Sequence, residues 1–134
     1  MSDTTTAPAA ADAATQAALE RLNTVIDRLI APDGCPWDST QTPESLTEYV
    51  IEECHELVDA IRSGKTADMV EELGDVAFLI LMIGKLMARA GGPSLADALE
   101  VEAAKMVRRH PHVFSDTTYE NQSEQLKDWD RIKR

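Results

Sequence analysis

Side chains able to do chemistry concentrate between Glu52 and Asp75, where acids sit at helical spacing inside segments that otherwise look like core. Glu53 and Glu56 stand three residues apart before a Ser63-Gly64-Lys65 break, and Glu72 and Asp75 stand three apart after it. Residues three apart on a helix share a face, so each pair can direct its oxygens at one point. The counts across the break match. From Gly64, Glu56 lies 8 residues back and Glu72 lies 8 forward, while Glu53 lies 11 back and Asp75 lies 11 forward. Folded as an αα-hairpin at about 1.5 Å rise per residue, equal counts bring the four carboxylates to matching heights. Carboxylates crowded in this way raise one another's pKa unless a cation neutralises them, so the spacing predicts a metal. Oxygen-only ligation suits Mg2+ or Mn2+ rather than zinc, which favours His and Cys. A solvated helix face is the plainer reading of such acids. Against it, Glu53 lies on the apolar stripe Leu46, Val50, Leu57, Ile61, and Asp75 directly precedes the apolar run from Val76 to Ile83. A carboxylate in that setting has a desolvation cost to offset.

The elements that must position these groups are helices. Residues 1–18 are rich in Ala and Thr without usable periodicity and are expected to form a disordered tail. A first helix is expected from about Gln16 to Ile30 on Leu19, Leu22, Val25 or Ile26, and Leu29, stopped by Pro32-Asp33-Gly34. Thr42 before Pro43 reads as the N-cap of a second helix that runs to about Arg62. The third is expected from Ala67 to Ala90, ending at Gly91-Gly92-Pro93. A fourth is capped by Ser94, turns Leu95, Leu99, Ala103 and Met106 inward, and ends near His110-Pro111. After a polar loop, a last helix starts at Ser123. No strand pattern occurs, so the fold class is all-α, a helical bundle around a central αα-hairpin.

At 134 residues the chain suffices for one domain with a real core, expected over 19–134. Its formal charge of -11 argues against binding nucleic acid or an anionic membrane. The apolar run from Val76 to Met87 is broken by Gly84 and Lys85 and is too short to span a bilayer, which needs about 20 residues. Cys35 and Cys54 form no CxxC pair and nothing resembles a secretory signal, so a reduced, cytoplasmic protein is the simplest reading. Because the third helix is apolar on nearly every face, it needs more neighbours than one chain supplies. A homodimer or dimer of dimers, centred on the second and third helices, is expected.

Five strings in order carry a family resemblance: Cys35-Pro36-Trp37-Asp38-x-x-Gln41-Thr42, Glu52-Glu53-x-x-Glu56, Glu72-x-x-Asp75, Arg108-Arg109-His110-Pro111-His112-Val113-Phe114, and Trp129-x-x-Ile132-Lys133. Together they resemble the MazG family of nucleoside triphosphate pyrophosphohydrolases, over about Leu19 to Arg134. Many MazG proteins carry two such modules in tandem, whereas this chain has one. The resemblance implies Mg2+-dependent hydrolysis of an NTP or dNTP to the monophosphate and pyrophosphate, serving nucleotide-pool housekeeping. It makes Glu53, Glu56, Glu72 and Asp75 the metal ligands. By analogy Glu52 accepts a proton from the attacking water or orients it, with an exposed helical acid as the alternative. Lys105 and Arg109, four apart, share a face suited to a triphosphate, and Trp129 and Lys133 repeat that spacing. In the family, matching residues contact the nucleotide, Trp129 at base or sugar and Lys133 at phosphate. The alternatives are a catalytically silent oligomerisation or partner-binding module, and a narrower dUTP or phosphoribosyl-ATP hydrolase.

Other patterns carry less. Glu52-x-x-His55 would need a second copy to build a di-iron site, and His55-Glu56 lacks the closing His of a zinc-protease motif because Asp59 stands there. His110 and His112 flank a proline at a helix end, where capping and packing are the expected roles.

Overall fold

The computed structural model describes residues 6–133, which form helices α1 (Thr6–Ile30), α2 (Thr47–Ser63), α3 (Thr66–Arg89), α4 (Leu95–Arg109), the single turn α5 (Pro111–Phe114) and α6 (Gln122–Lys133). Two short 3-10 turns, Asp38–Thr40 and Glu44–Leu46, precede α2. The described chain is all-α, as its patterning predicts, with no strand among the described residues. It groups into two compact units, one ending at Gly92 and the other beginning at Pro93.

In the first unit α3 packs against α2 and α1. The hairpin bend follows from Gly64, whose φ of 73° lies in the left-handed region that side chains disfavour. Its N–H donates to Ile61 O at 3.2 Å, while Ser63 Oγ donates to Ala60 O at 2.7 Å, closing the last turn of α2. At the end of α1, Gly34 turns so tightly that a Cβ there would lie 2.3 Å from Arg28 O. Arg89 joins the ends of α1 and α3, donating from Nη1 to Ile30 O at 2.8 Å and from Nη2 to Ser39 O at 3.1 Å. Lys85 Nζ meets Asp27 Oδ1 at 2.6 Å along the same contact. The core gathers at this end. Ile26, Leu46 and Met82 are fully buried, with Ile30, Leu79, Leu81 and Leu86 around them. Ile26, rather than Val25, is therefore the inward residue of α1.

Two expectations need correction. The stretch 1–18, expected to be a disordered tail, is helical in its described part, because α1 begins at Thr6; residues 1–5 lie outside the described residues. Side chains from residue 9 to Arg21 are exposed, so alanine's intrinsic helix preference, not packing, extends this helix backwards from its buried end. α2 does not begin at Pro43. Thr42 and Ser45 do cap each other, with Thr42 N–H on Ser45 Oγ at 2.9 Å and Ser45 N–H on Thr42 Oγ1 at 3.1 Å, but the turn they open is 3-10. Regular α-helix starts only at Thr47. Part of the apolar surface of α3 is left uncovered by this chain: Val70, Leu73 and Ile80 are 68%, 59% and 49% exposed.

In the second unit, Ser94 and Asp97 form a capping box at the start of α4, with Ser94 N–H donating to Asp97 Oδ2 at 2.8 Å, and Asn121 Oδ1 accepts Glu124 N–H at 2.9 Å to start α6. The inward stripe expected of α4 is only partly covered here. Leu95 and Met106 are half-buried, whereas Leu99 and Ala103 are exposed.

Candidate functional site

The hairpin brings Glu53 and Glu56 of α2 to Glu72 of α3, each offering an oxygen within 4.8 Å of the others. Asp75 is not part of that group. It is exposed, and aspartate is one methylene shorter than glutamate, but its charge still raises the pKa of both Glu53 and Glu72. Glu53 Oε2 and Glu72 Oε2 are shielded from solvent and have no hydrogen-bond partner. Such orphaned acceptors are costly unless a cation or donor satisfies them. Three converging carboxylates, two of them carrying an orphaned oxygen, fit a hard divalent cation. Glu52, one residue off this face, is exposed and adds its charge to the field at Glu53.

Loss of hydration is the main cause that lifts the Glu72 carboxyl to about 7, followed by its contact with Glu56 and then the charges of Asp75 and Glu53. Glu53 is raised for the same first reason, with Glu56 and Asp75 next. Unfolded, the Glu72 carboxyl titrates near 4.5; folded, near 7. Between these values the folded chain holds the extra proton, so this contribution to stability is full below about pH 4.5 and is lost as pH rises through 7. In chelator, Tm should fall between about pH 5 and pH 8, and Mg2+ should restore it at the upper end. A Tm that climbs across that range in chelator would contradict the crowding of these carboxylates.

Beside the cluster, toward the hairpin tip, lies a cleft of about 310 Å3 lined by Glu56, Asp59, Ala60, Ser63, Asp68 and Glu72. Asp59 and Asp68 did not stand out from spacing about Gly64. Continuing the three-residue step from Glu53 and Glu56 reaches Asp59, and stepping back four from Glu72 reaches Asp68. A larger cleft, about 610 Å3, lies within the second unit and is bordered by Arg108, Tyr119, Lys127 and Asp128 among others. None of the clustered carboxylates lines it. Proximity to acids with unmet valences, not cleft size, therefore marks the candidate metal site.

The basic and aromatic candidates all belong to the second unit. Lys105 Nζ pairs with Glu102 Oε2 at 2.7 Å. Arg109 lies over the Trp129 ring, its guanidinium carbon 5.5 Å from the centroid, and its Nε is shielded without a partner. Lys133 is exposed at the end of α6. Thus Arg109 and Trp129 are brought together, whereas Lys105 and Lys133 are held only by their own helices. Asp128 steadies α6, accepting hydrogen bonds from Tyr119 Oη and from Arg131 Nε, the latter at 2.8 Å. These two donors hold its carboxyl below the ordinary range, Tyr119 contributing most. His110 caps α4, as its position before Pro111 suggests, with Nδ1 2.6 Å from Met106 O.

The MazG nucleotide pyrophosphohydrolase domain model matches residues 41–114. The chain is 39% identical over 116 residues to the nucleoside triphosphate pyrophosphohydrolase of Escherichia coli K12, covering 86% of this chain and 44% of that protein. It is also 39% identical over 114 residues to the nucleoside triphosphate pyrophosphohydrolase/pyrophosphatase MazG of Thermotoga maritima, covering 85% and 43%. The chain spans less than half the length of the curated relatives it matches. The crystal structure of a mazG-related protein from Thermotoga maritima superposes with a TM-score of 0.70 at 29% identity, covering 85% of this chain and 97% of that one.

Proposed function

The chain belongs to the MazG nucleotide pyrophosphohydrolase family, and on that premise we propose that it hydrolyses nucleoside triphosphates, NTP or dNTP, to the monophosphate and pyrophosphate. The observation that carries this reading is the convergence of Glu53, Glu56 and Glu72 with two orphaned oxygens. Pyrophosphohydrolases of this family are generally dependent on a divalent metal. Here Glu53, Glu56 and Glu72, joined by Asp75, would hold Mg2+, with Mn2+ as a substitute. When bound, the cation supplies Lewis-acid polarisation of the α-phosphate and lowers the pKa of the attacking water. Water adds at the α-phosphorus, the bridging P–O bond to the β-phosphate breaks, and pyrophosphate leaves. Glu52 accepts the proton of that water or orients it, a role suited to an exposed carboxylate at the edge of the acidic face. Lys105 and Arg109 hold the outgoing pyrophosphate, Trp129 contacts base or sugar, and Lys133 contacts phosphate.

Residues 19–134 work in this reading as one functional domain, supported by a family match that runs across Gly92 and Pro93. The cellular setting proposed is the cytoplasm, with nucleotide-pool housekeeping as the role. No described helix is long and apolar enough to cross a membrane. The deciding experiment is a panel of NTPs and dNTPs with Mg2+, identifying both products. Release of inorganic phosphate instead of pyrophosphate would sink the proposed chemistry. No turnover of any nucleotide would favour a silent oligomerisation module, and turnover confined to dUTP or phosphoribosyl-ATP would assign the narrower activity.

We also propose a homodimer or dimer of dimers. On α2, Ile51, Cys54, Val58 and Ile61 follow a three-four-three spacing and are exposed; on α3, Val70, Leu73 and Ile80 continue as an exposed apolar stripe. Such spacing is that of helices which pack along a shared seam. Light scattering at micromolar concentration should return at least twice the 14.7 kDa chain mass. A stable monomer would refute the seam.

A further inference from the structure

Pro111 forces α4 to stop at Arg109 and keeps His110 out of helical geometry, at φ -124° and ψ 60°. From that position the imidazole folds back along α4. Its Nδ1 lies 2.6 Å from Met106 O, one of the carbonyls that a helix end leaves without an intrahelical partner. The bond fixes the ring's orientation. The ring so fixed meets Trp129 edge-on, with centroids 5.1 Å apart and planes at 67°. Arg109, the preceding residue, covers the same indole at 5.5 Å. One helix end therefore holds Trp129 by two neighbouring side chains, and only one of them, His110, is itself tied to the backbone.

We propose that His110 is a positioning residue for nucleotide binding: anchored on the Met106 carbonyl, its ring sets the orientation of Trp129. The inference rests on the reading of Trp129 as a base or sugar contact given above, and its test separates the two. His110 touches neither substrate nor metal in this scheme and acts only through the indole. An edge-to-face contact between imidazole and indole restricts ring rotation, and an indole held in place binds a base without first losing its rotamer freedom.

The experiment uses the full chain with Trp37→Phe, so that Trp129 is the one fluorophore of its type. His110→Asn keeps an amide N–H for the Met106 carbonyl, and with it the cap of α4, but removes the ring. Without nucleotide, this variant should lower the fluorescence anisotropy of Trp129 and shift its emission to the red; His110→Phe, which restores a ring edge, should recover both in part. In steady-state assays with ATP, His110→Asn should raise KM roughly tenfold, the scale of a base-stacking contact, and leave kcat within about twofold. Trp129→Ala should show the same KM defect, and the double variant should be no worse than Trp129→Ala alone. Unchanged emission and anisotropy in His110→Asn overturn the positioning role whatever the kinetics, as do KM defects that multiply in the double variant. If Trp129→Ala leaves KM unchanged, the nucleotide contact is refuted, and the proposed role in nucleotide binding falls with it even where emission shifts.

Discussion

Glu56→Gln should abolish hydrolysis and at the same time make the metal-free protein more stable near neutral pH. Both effects have one cause. Glu56 is the neighbour whose contact and charge, after loss of hydration, push Glu72 up to about 7. An amide removes that repulsion and removes an oxygen proposed to ligate the metal in the same step. Turnover should drop by about a thousandfold or more, equivalent to about 4 kcal/mol of activation free energy. Far-UV circular dichroism should be unchanged, and Tm in chelator should rise. Asp75→Asn should also abolish hydrolysis, with a smaller gain in Tm, because Asp75 acts on Glu53 and Glu72 by charge alone. Full activity in either variant would remove the acidic site as the seat of the reaction.

Arg109→Ala and Glu72→Gln should fail in opposite ways. Arg109 is no metal ligand in this scheme, and its shielded Nε lacks a partner. Its loss should raise KM and lower kcat/KM by roughly 10- to 100-fold, the range for losing a charge-assisted hydrogen bond of about 1.5 to 3 kcal/mol. Metal affinity should hardly change. Glu72→Gln should instead weaken the Mg2+ dependence and collapse kcat. Separate titrations of Mg2+ and nucleotide decide the matter, and identical defects in both would mean that the acidic and basic groups are one inseparable site. Arg109→Ala carries a second signature: removing the cation over the indole should alter Trp129 emission without nucleotide.

How much of this was readable from the sequence differs by element. Gly64 and Gly91 both sit at positive φ, at the ends of α2 and α3, and Ser94 caps α4, because turn and cap chemistry is local. The start of α1 was not readable: alanine carries helix preference without any apolar period to announce it. Nor was the 3-10 entry to α2, since Thr42 and Ser45 make the same reciprocal bonds whichever helix type they open. Among the acids, spacing about Gly64 identified the three that converge, while the position of Asp75 outside that group depends on side-chain reach, which spacing omits. The contact of His110 with Trp129 joins the end of α4 to α6, and nothing local to either segment signals it.

The link between α2 and α3 has one more consequence. Only Gly64 and Lys65 separate the two helices, so the chain between the proposed ligands has almost no slack. The connection works as a length standard. Adding one residue to α3 between Thr66 and Glu72 would rotate Glu72 by about 100° and advance it by about 1.5 Å, taking its oxygens away from Glu53 and Glu56 while leaving a perfectly good helix. Homologous sequences should therefore show insertions and deletions between Leu95 and Arg134, or ahead of Leu46, far more readily than between Glu53 and Glu72. There the number of residues, independent of their identity, is itself a functional quantity.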